Sequence, residues 1–284
     1  MDKISMTIPA IIGKKNSKSK ITALTAYDFS FAKLLDATDI DIILVGDSLA
    51  MVALGFPNTL PVTMDDMIAH TKAVRKGIRN SLLVGDMPFM SYQVSDEQAI
   101  ANAGRFLQEG GATAIKLEGG VRVTKTVAAI VQAGIPVMGH IGLTPQSVHQ
   151  FGGYKIQGKN LLQARQIKQD ARELEKAGAF AIVLEGIPSE LASEITDCLK
   201  IPTIGIGAGP HCDGQILVLE DMLGITQDFT PKFVKRYANL DAEIKKAVGQ
   251  YIDEVHSGKF PGKEHSYNTD KKPLKKVADS RGNH

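Results

Sequence analysis

Asp47 and Ser48 follow the run IDIILVG, Asp86 follows SLLVG, Lys116 and Glu118 lie in AIKLEGG, His140 ends VMGH, and Glu185 lies in AIVLEG. Each group sits at the end of a near-continuous stretch of apolar residues, the composition of a strand buried on both faces. Lys116 and Glu118 are two residues apart and so face one side of their strand, with Leu117 on the other. Asp47, Asp86 and Glu118 bring only carboxylate oxygens. That donor set suits Mg2+, which takes one or two carboxylates and keeps water or substrate oxygens. No His or Cys cluster in the sequence points to zinc. A 2-oxo acid chelates such an ion through its keto and carboxylate oxygens. A base then removes the proton at C3 and leaves an enolate, a carbon nucleophile. Lys116 in a barrel mouth needs an anion beside it, a carboxylate or a bound substrate acid, and a Lys–Glu pair that fills space is the structural alternative. His140 fits two roles equally, a donor to a substrate carbonyl and a satisfied core histidine.

Strands whose ends converge are needed to gather these groups. Short runs rich in Ile and Val predict strands at residues 21–26, 41–46, 81–86, 114–118, 136–141, 179–185, 202–207 and 215–219. Longer segments of helical period separate them. This alternation is that of an α/β protein, a (β/α)8 TIM barrel, whose chemistry gathers at the C-terminal strand ends. The second to sixth strands each end in an ionisable group, too many in succession for helix capping to explain. Thr63 before Asp65 and Asp66, Ser95 with Gln98, and Asn160 with Gln163 mark helix starts. Gly110-Gly111, Gly134 and Gly178 mark helix ends. A short helix over residues 7–12 precedes the first strand, where it either closes the barrel bottom or packs on a neighbouring copy. The run GIGAG at 205–209 reads either as backbone that approaches a phosphate or as close packing. The loop HQFGGY at 149–154 is expected to form a mobile lid.

The chain has 284 residues, about the size of one such barrel, and its formal net charge of +2 argues against a nucleic-acid or acidic-membrane partner. No apolar run approaches the roughly 18 residues that span a bilayer, and the start MDKISMTIPAIIGKK does not resemble a signal peptide. Cys198 and Cys212 cannot form a C-x-x-C site and read as reduced thiols. The expectation is a cytoplasmic enzyme with one barrel over residues 1–258, including the short N-terminal helix, followed by a Lys-rich, flexible tail at 259–284.

In order and spacing, VGDS (45–48), VGDMPF (84–89), IKLEGG (115–120), GHIGLTPQSV (139–148), GGYKIQG (152–158), VLEGIP (183–188) and IGIGAG (204–209) closely resemble the 3-methyl-2-oxobutanoate (ketopantoate) hydroxymethyltransferase family. The resemblance runs from about residue 21 to 256. It implies a barrel of the phosphoenolpyruvate/pyruvate type with Mg2+ as cofactor and 5,10-methylenetetrahydrofolate as co-substrate. The implied reaction transfers a hydroxymethyl group to 3-methyl-2-oxobutanoate through a Mg-stabilised enolate. Its product is 2-dehydropantoate, on the route to pantothenate. By the same resemblance Asp47 and Asp86 are metal ligands that also touch the 2-oxo acid, Glu118 is a further metal-side carboxylate, Ser48 and Lys116 bind substrate, and Glu185 is the catalytic proton acceptor. A homo-oligomer, a decamer of stacked rings, is implied too. Two places depart from the family pattern: Glu220 stands where a His is common, and the Lys-rich stretch after Asn268 has no counterpart.

Two other readings compete. A Mg2+-dependent carbon–carbon lyase of the same barrel type would break a bond through the same enolate. Such lyases commonly use a loop Cys, and here Cys212 follows the seventh strand while Cys198 is misplaced. A catalytically inactive barrel kept as a scaffold is the third, and the intact rim carboxylates argue against it.

Overall fold

Ile42 and Leu44 belong to one buried apolar cluster and their neighbours Ile43 and Val45 to another. The same alternation separates Leu82 and Val84 from Leu83, and Ala181 and Val183 from Ile182 and Leu184. Side chains of period two on strands buried on both faces produce this division. The computed structural model describes residues 5–226 and 231–268. They divide into two compact units, one up to Ala238 and one from Asn239 onward.

In the first unit, helix α1 (Ile8–Asn16) precedes β1 (Ile21–Thr25), α2 (Phe29–Asp36), β2 (Ile42–Val45), α3 (Leu49–Val52), α4 (Met64–Gly77) and β3 (Leu82–Asp86). There follow α5 (Asp96–Gln108), β4 (Ala114–Glu118), α6 (Thr124–Gln132), β5 (Val137–Gly142), α7 (Val148–Phe151) and α8 (Leu161–Lys176). The unit ends with β6 (Ala181–Glu185), α9 (Ser189–Cys198), β7 (Thr203–Ile206), β8 (Gly214–Leu217) and α10 (Leu219–Leu223). The strands are parallel, follow one another in chain order and close between β1 and β8. This is the expected (β/α)8 barrel. The last strand stops two residues earlier than the sequence suggests, because Leu219 opens α10 instead of extending the apolar run.

Thr7 caps α1, accepting a hydrogen bond from the Ala10 amide. Ile11 is fully buried in the inner cluster with Ile21 and Ile42, and Met6, Ile8 and Ile12 pack against it. Lys14 pairs with Asp41 at 2.6 Å and Lys15 with Asp213 at 2.8 Å, residues that lead into β2 and β8. The segment therefore closes the barrel bottom, the first of its two expected uses. Thr63 and Asp66 form a complete capping box on α4, and Ser95 and Asn160 accept from the Gln98 and Gln163 amides. Gly85 is required for packing, since a Cβ there would collide with the Phe106 ring of α5. That close approach sets α5 directly behind Asp86.

The second unit contains α11 (Leu240–His256) and a short 3-10 turn at Lys263–His265. The helix that the sequence reading counted with the barrel, in 1–258, thus belongs to this unit. Of the expected tail, residues 269–284 lie outside the described residues. Among the described residues no helix is long and apolar enough to cross a membrane.

Candidate active site

The alternation that fills the barrel with apolar side chains ends in a polar layer. On the inner face Val84 is followed by Asp86, Ala114 by Lys116 and then Glu118, Met138 by His140, and Val183 by Glu185. Strand register places Asp86 beside Lys116, Glu118 beside His140 and Gly142 beside Glu185. Asp47 reaches the same layer differently. It lies beyond the end of β2, in the turn before α3, and not at a strand end as expected. Its backbone N–H donates to Asp86 Oδ2 at 2.9 Å, which ties the turn to β3. Ser48, next in the chain, sits 2.8 Å from the Tyr27 hydroxyl.

The side chains form one connected cluster. Lys116 Nζ is 2.9 Å from Asp86 Oδ1 and 3.2 Å from His140 Nδ1. His140 Nδ1 is 3.4 Å from Glu118 Oε1, and Nε2 is 3.1 Å from Glu185 Oε2. Sequence reasoning missed two members, Gln146 and Tyr92. Gln146 donates its side-chain amide to Asp47 Oδ2 and its backbone N–H to Glu118 Oε2, both at 3.0 Å. Tyr92 donates its hydroxyl to Gln146 Oε1 at 2.8 Å. Both come from loops, where no periodicity announces which way a side chain turns. The only sequence signal was that Gln146 lies inside the motif GHIGLTPQSV.

Three carboxylates, all buried, face one ammonium here. Burial and the neighbouring Glu118 push Asp47 up to about 6, against the pull of Lys116. Burial pushes Asp86 up to about 6 as well, with Lys116 opposing and Asp47 adding to the rise. Burial also opposes the charge on Lys116, but Asp86, Glu118 and Asp47 outweigh it and hold the ammonium above its ordinary value. For His140, burial and Lys116 disfavour the charged ring, Glu118 and Glu185 favour it, and the balance is raised to about 9. The Lys116 contact calls for an accepting Nδ1 and the Glu118 contact for a donating one. His140 Nε2 lies close to Glu185 Oε2 but is not aligned for a hydrogen bond, so the ring and this carboxylate are neighbours without a fixed donor between them.

Asp86 Oδ1, Glu118 Oε1 and His140 Nε2 are buried without an aligned hydrogen-bond partner, and Asp86 Oδ1 has the Lys116 ammonium close by. Buried oxygens in that condition are costly unless a cation or donor meets them. The all-oxygen donor set and the surplus of negative charge fit Mg2+. Among the described residues no group of three His, Cys, Asp or Glu is already gathered around one point. Mg2+ does not need one, because it commonly keeps several waters or substrate oxygens.

Other expected features lie elsewhere. Gly205 and Gly207 are packing glycines, since a Cβ would meet Cys212 Sγ and the Phe233 ring at 2.9 and 2.8 Å. Cys212 is fully buried, and burial pushes its thiol up, which does not suit a loop nucleophile. Glu220 is on α10, where burial raises it to about 7 and Oε2 has no hydrogen-bond donor. Tyr154, in the expected lid, is half exposed with its hydroxyl 3.8 Å from Met51 Sδ. Burial and then Asp47, Glu185 and Glu118 raise the pKa of that hydroxyl.

Fold and site together define a (β/α)8 enzyme with a carboxylate-lined mouth, of the architecture seen in the phosphoenolpyruvate mutase/isocitrate lyase group. The chain is similar in fold to a crystal structure of phosphonopyruvate hydrolase complexed with oxalate and Mg2+, with TM-score 0.60 and 13% identity over 92% of this chain and 93% of that one. It is also similar to 2,3-dimethylmalate lyase, a member of that superfamily, with TM-score 0.58 and 16% identity over 95% and 93%. More specifically, residues 5–263 match the family model described as ketopantoate hydroxymethyltransferase. The 3-methyl-2-oxobutanoate hydroxymethyltransferase of Syntrophus aciditrophicus is 58% identical over 92% of this chain and 96% of the relative. That of Clostridium acetobutylicum is 59% identical over 93% and 95%. The chain belongs to the ketopantoate hydroxymethyltransferase family.

Proposed function

We propose that this enzyme transfers a hydroxymethyl group from 5,10-methylenetetrahydrofolate to 3-methyl-2-oxobutanoate, forming 2-dehydropantoate for pantothenate synthesis. The observation that carries the reading is a buried Asp47–Asp86–Glu118 cluster joined through His140 to Glu185 in the same mouth. Mg2+, held by Asp47 and Asp86 with Glu118 beside it, supplies Lewis-acid stabilisation of charge developing on the 2-oxo oxygen. Lys116 and Ser48 hold the substrate acid, Lys116 by its charge and Ser48 by a hydroxyl that Tyr27 orients at 2.8 Å. Glu185 accepts the C3 proton, with His140 Nε2 3.1 Å from its Oε2. C3 then carries the electron pair that attacks the one-carbon unit, whose bonds to the folate nitrogens break to release tetrahydrofolate while one water supplies the hydroxyl oxygen. Purified protein with Mg2+, 3-methyl-2-oxobutanoate and the methylene-folate should form 2-dehydropantoate, and no product with all three present would overturn the reading.

The same reading places the enzyme in the cytoplasm, in keeping with two free cysteines, and in a homo-oligomer, a decamer. Exposed Ile244, Val248, Tyr251, Ile252 and Val255 at helical spacing on α11 support self-association. Light scattering should give a mass several times 30.6 kDa, and a monomeric mass discards the oligomer.

A further inference from the structure

Gln146 is a buried side chain whose polar atoms are all engaged. It comes from the 3-10 turn Pro145–Ser147 after β5 and is 6% exposed. Nε2 donates to Asp47 Oδ2 and to the Met87 carbonyl, each at 3.0 Å. Oε1 accepts from the Tyr92 hydroxyl at 2.8 Å and from Gln93 Nε2 at 3.5 Å. The Tyr92 hydroxyl also accepts the Glu118 N–H at 3.2 Å and has the Glu118 carbonyl as a second acceptor at 3.1 Å, longer than its contact with Gln146. These partners settle the direction of the amide. Turned over, Gln146 would set its oxygen against a carboxylate and a carbonyl, and its NH2 against two donors.

The consequence is a pattern across the site. Asp86 Oδ2 is pinned by the Asp47 N–H, Asp47 Oδ2 by the Gln146 side chain, and Glu118 Oε2 by the Gln146 backbone. Each carboxylate has one oxygen held by an amide hydrogen, and Gln146 supplies two of the three. The second oxygens of Asp86 and Glu118 are left without an aligned donor. A glutamine that only filled space could satisfy its NH2 on backbone carbonyls, as half of this one does on Met87.

We propose that Gln146 is a positioning residue that orients the Asp47 and Glu118 carboxylates so that their remaining oxygens are presented to a divalent cation. The inference rests on the Mg2+ reading above. Outer partners of ligands typically change metal affinity by roughly 10- to 100-fold when removed. Gln146→Met keeps the length of the side chain and deletes its donations to Asp47 and Met87, while the backbone N–H to Glu118 remains. Calorimetric titration of the full chain with Mg2+, without substrate, should show binding roughly 10- to 100-fold weaker than wild type. A variant with lowered Tm and wild-type Mg2+ affinity would show a merely structural residue and overturn the proposal. Should Gln146→Met fail to fold, Tyr92→Phe removes a single hydroxyl and leaves Oε1 of Gln146 only the long contact from Gln93 at 3.5 Å, which loosens the amide. Its expected loss is about tenfold, the low end of that range, and unchanged affinity again overturns the role. If wild type itself takes up no Mg2+, the metal reading fails, and a metal-free crystal structure of Gln146→Met decides the brace by itself. An Asp47 carboxylate swung away from its wild-type rotamer supports it, and one left in place refutes it.

Discussion

Lys116 Nζ lies 2.9 Å from Asp86 Oδ1, and the two residues are register partners across β3 and β4. Neither side chain is more than 5% exposed. In the absence of a metal, this ammonium is the one lysine charge set among Asp47, Asp86 and Glu118. It stands close to where a divalent cation would satisfy the same oxygens.

Lys116→Met should therefore destabilise the Mg2+-free protein by about 3–5 kcal/mol, the range for removing one partner of a buried pair. Mg2+ should raise the Tm of this variant more than that of wild type, because its carboxylates have lost a competing cation and a ligand stabilises in proportion to its affinity. Scanning calorimetry with and without Mg2+ measures both shifts. Equal shifts would discard the idea that lysine and metal serve the same oxygens.

At the opposite end of the barrel, Ile11→Ala tests the plug. Ile11 is fully buried among Ile21, Ile42 and Phe180, so its truncation should cost roughly 2–5 kcal/mol. Turnover of the folded fraction should match wild type, since this end reads as stability and the other as chemistry. Urea unfolding and an activity assay on one preparation separate the two, and a large loss of turnover at full folding would show that α1 reaches the site.

What could be read from sequence followed from period two. Lys116 shares a face with Asp86, His140 and Glu185 because an inward-facing apolar residue precedes each by two positions, and Glu118 follows Lys116 by two on the same strand. Asp47 was legible as a site residue but not as a turn residue, since a strand of four residues and its turn look alike in IDIILVGDS. The end of β8 was misread for a similar reason: the apolar pattern of ILVLED continues from strand into α10 without a break. Gln146, Tyr92 and Tyr27 were not legible as partners. Their roles depend on loops crossing the mouth, a relation between distant segments that local pattern does not encode.

Asp36 gives a pH test well away from the site. Its carboxylate ends α2 and accepts the backbone N–H groups of Arg79, Asn80 and Ser81 at 2.9, 3.0 and 2.8 Å. Burial raises its pKa, but the Ser81, Arg79 and Asn80 hydrogen bonds outweigh burial and hold it below the ordinary carboxylate range. The charged form is thus favoured by folding. Its contribution is complete above the unfolded-state pKa and is lost as pH falls through the lowered folded value. Asp36→Ala should cost about 1–3 kcal/mol at neutral pH, and the gap to wild type should close in acid. A gap that stays constant between pH 7 and pH 3 would refute the charge-based account.

Glu185 offers the most direct test of the chemistry, because proton removal can be observed without the folate. Its Oε2 lies 3.1 Å from His140 Nε2, and its side chain is 16% exposed, so it is both next to the cluster and reachable from the mouth. With Mg2+ alone, wild type should exchange the C3 hydrogen of 3-methyl-2-oxobutanoate for solvent deuterium. Glu185→Gln keeps the shape but cannot accept a proton, so exchange should fall by roughly 10²-fold or more, the usual worth of a general base. Binding of the 2-oxo acid should stay within a few-fold of wild type, because Lys116, Ser48 and the carboxylate cluster are untouched. Proton NMR follows the exchange and calorimetry the binding. Exchange at the wild-type rate in Glu185→Gln would remove it as the base and leave His140, the other titratable group in contact with it, as the next group to test.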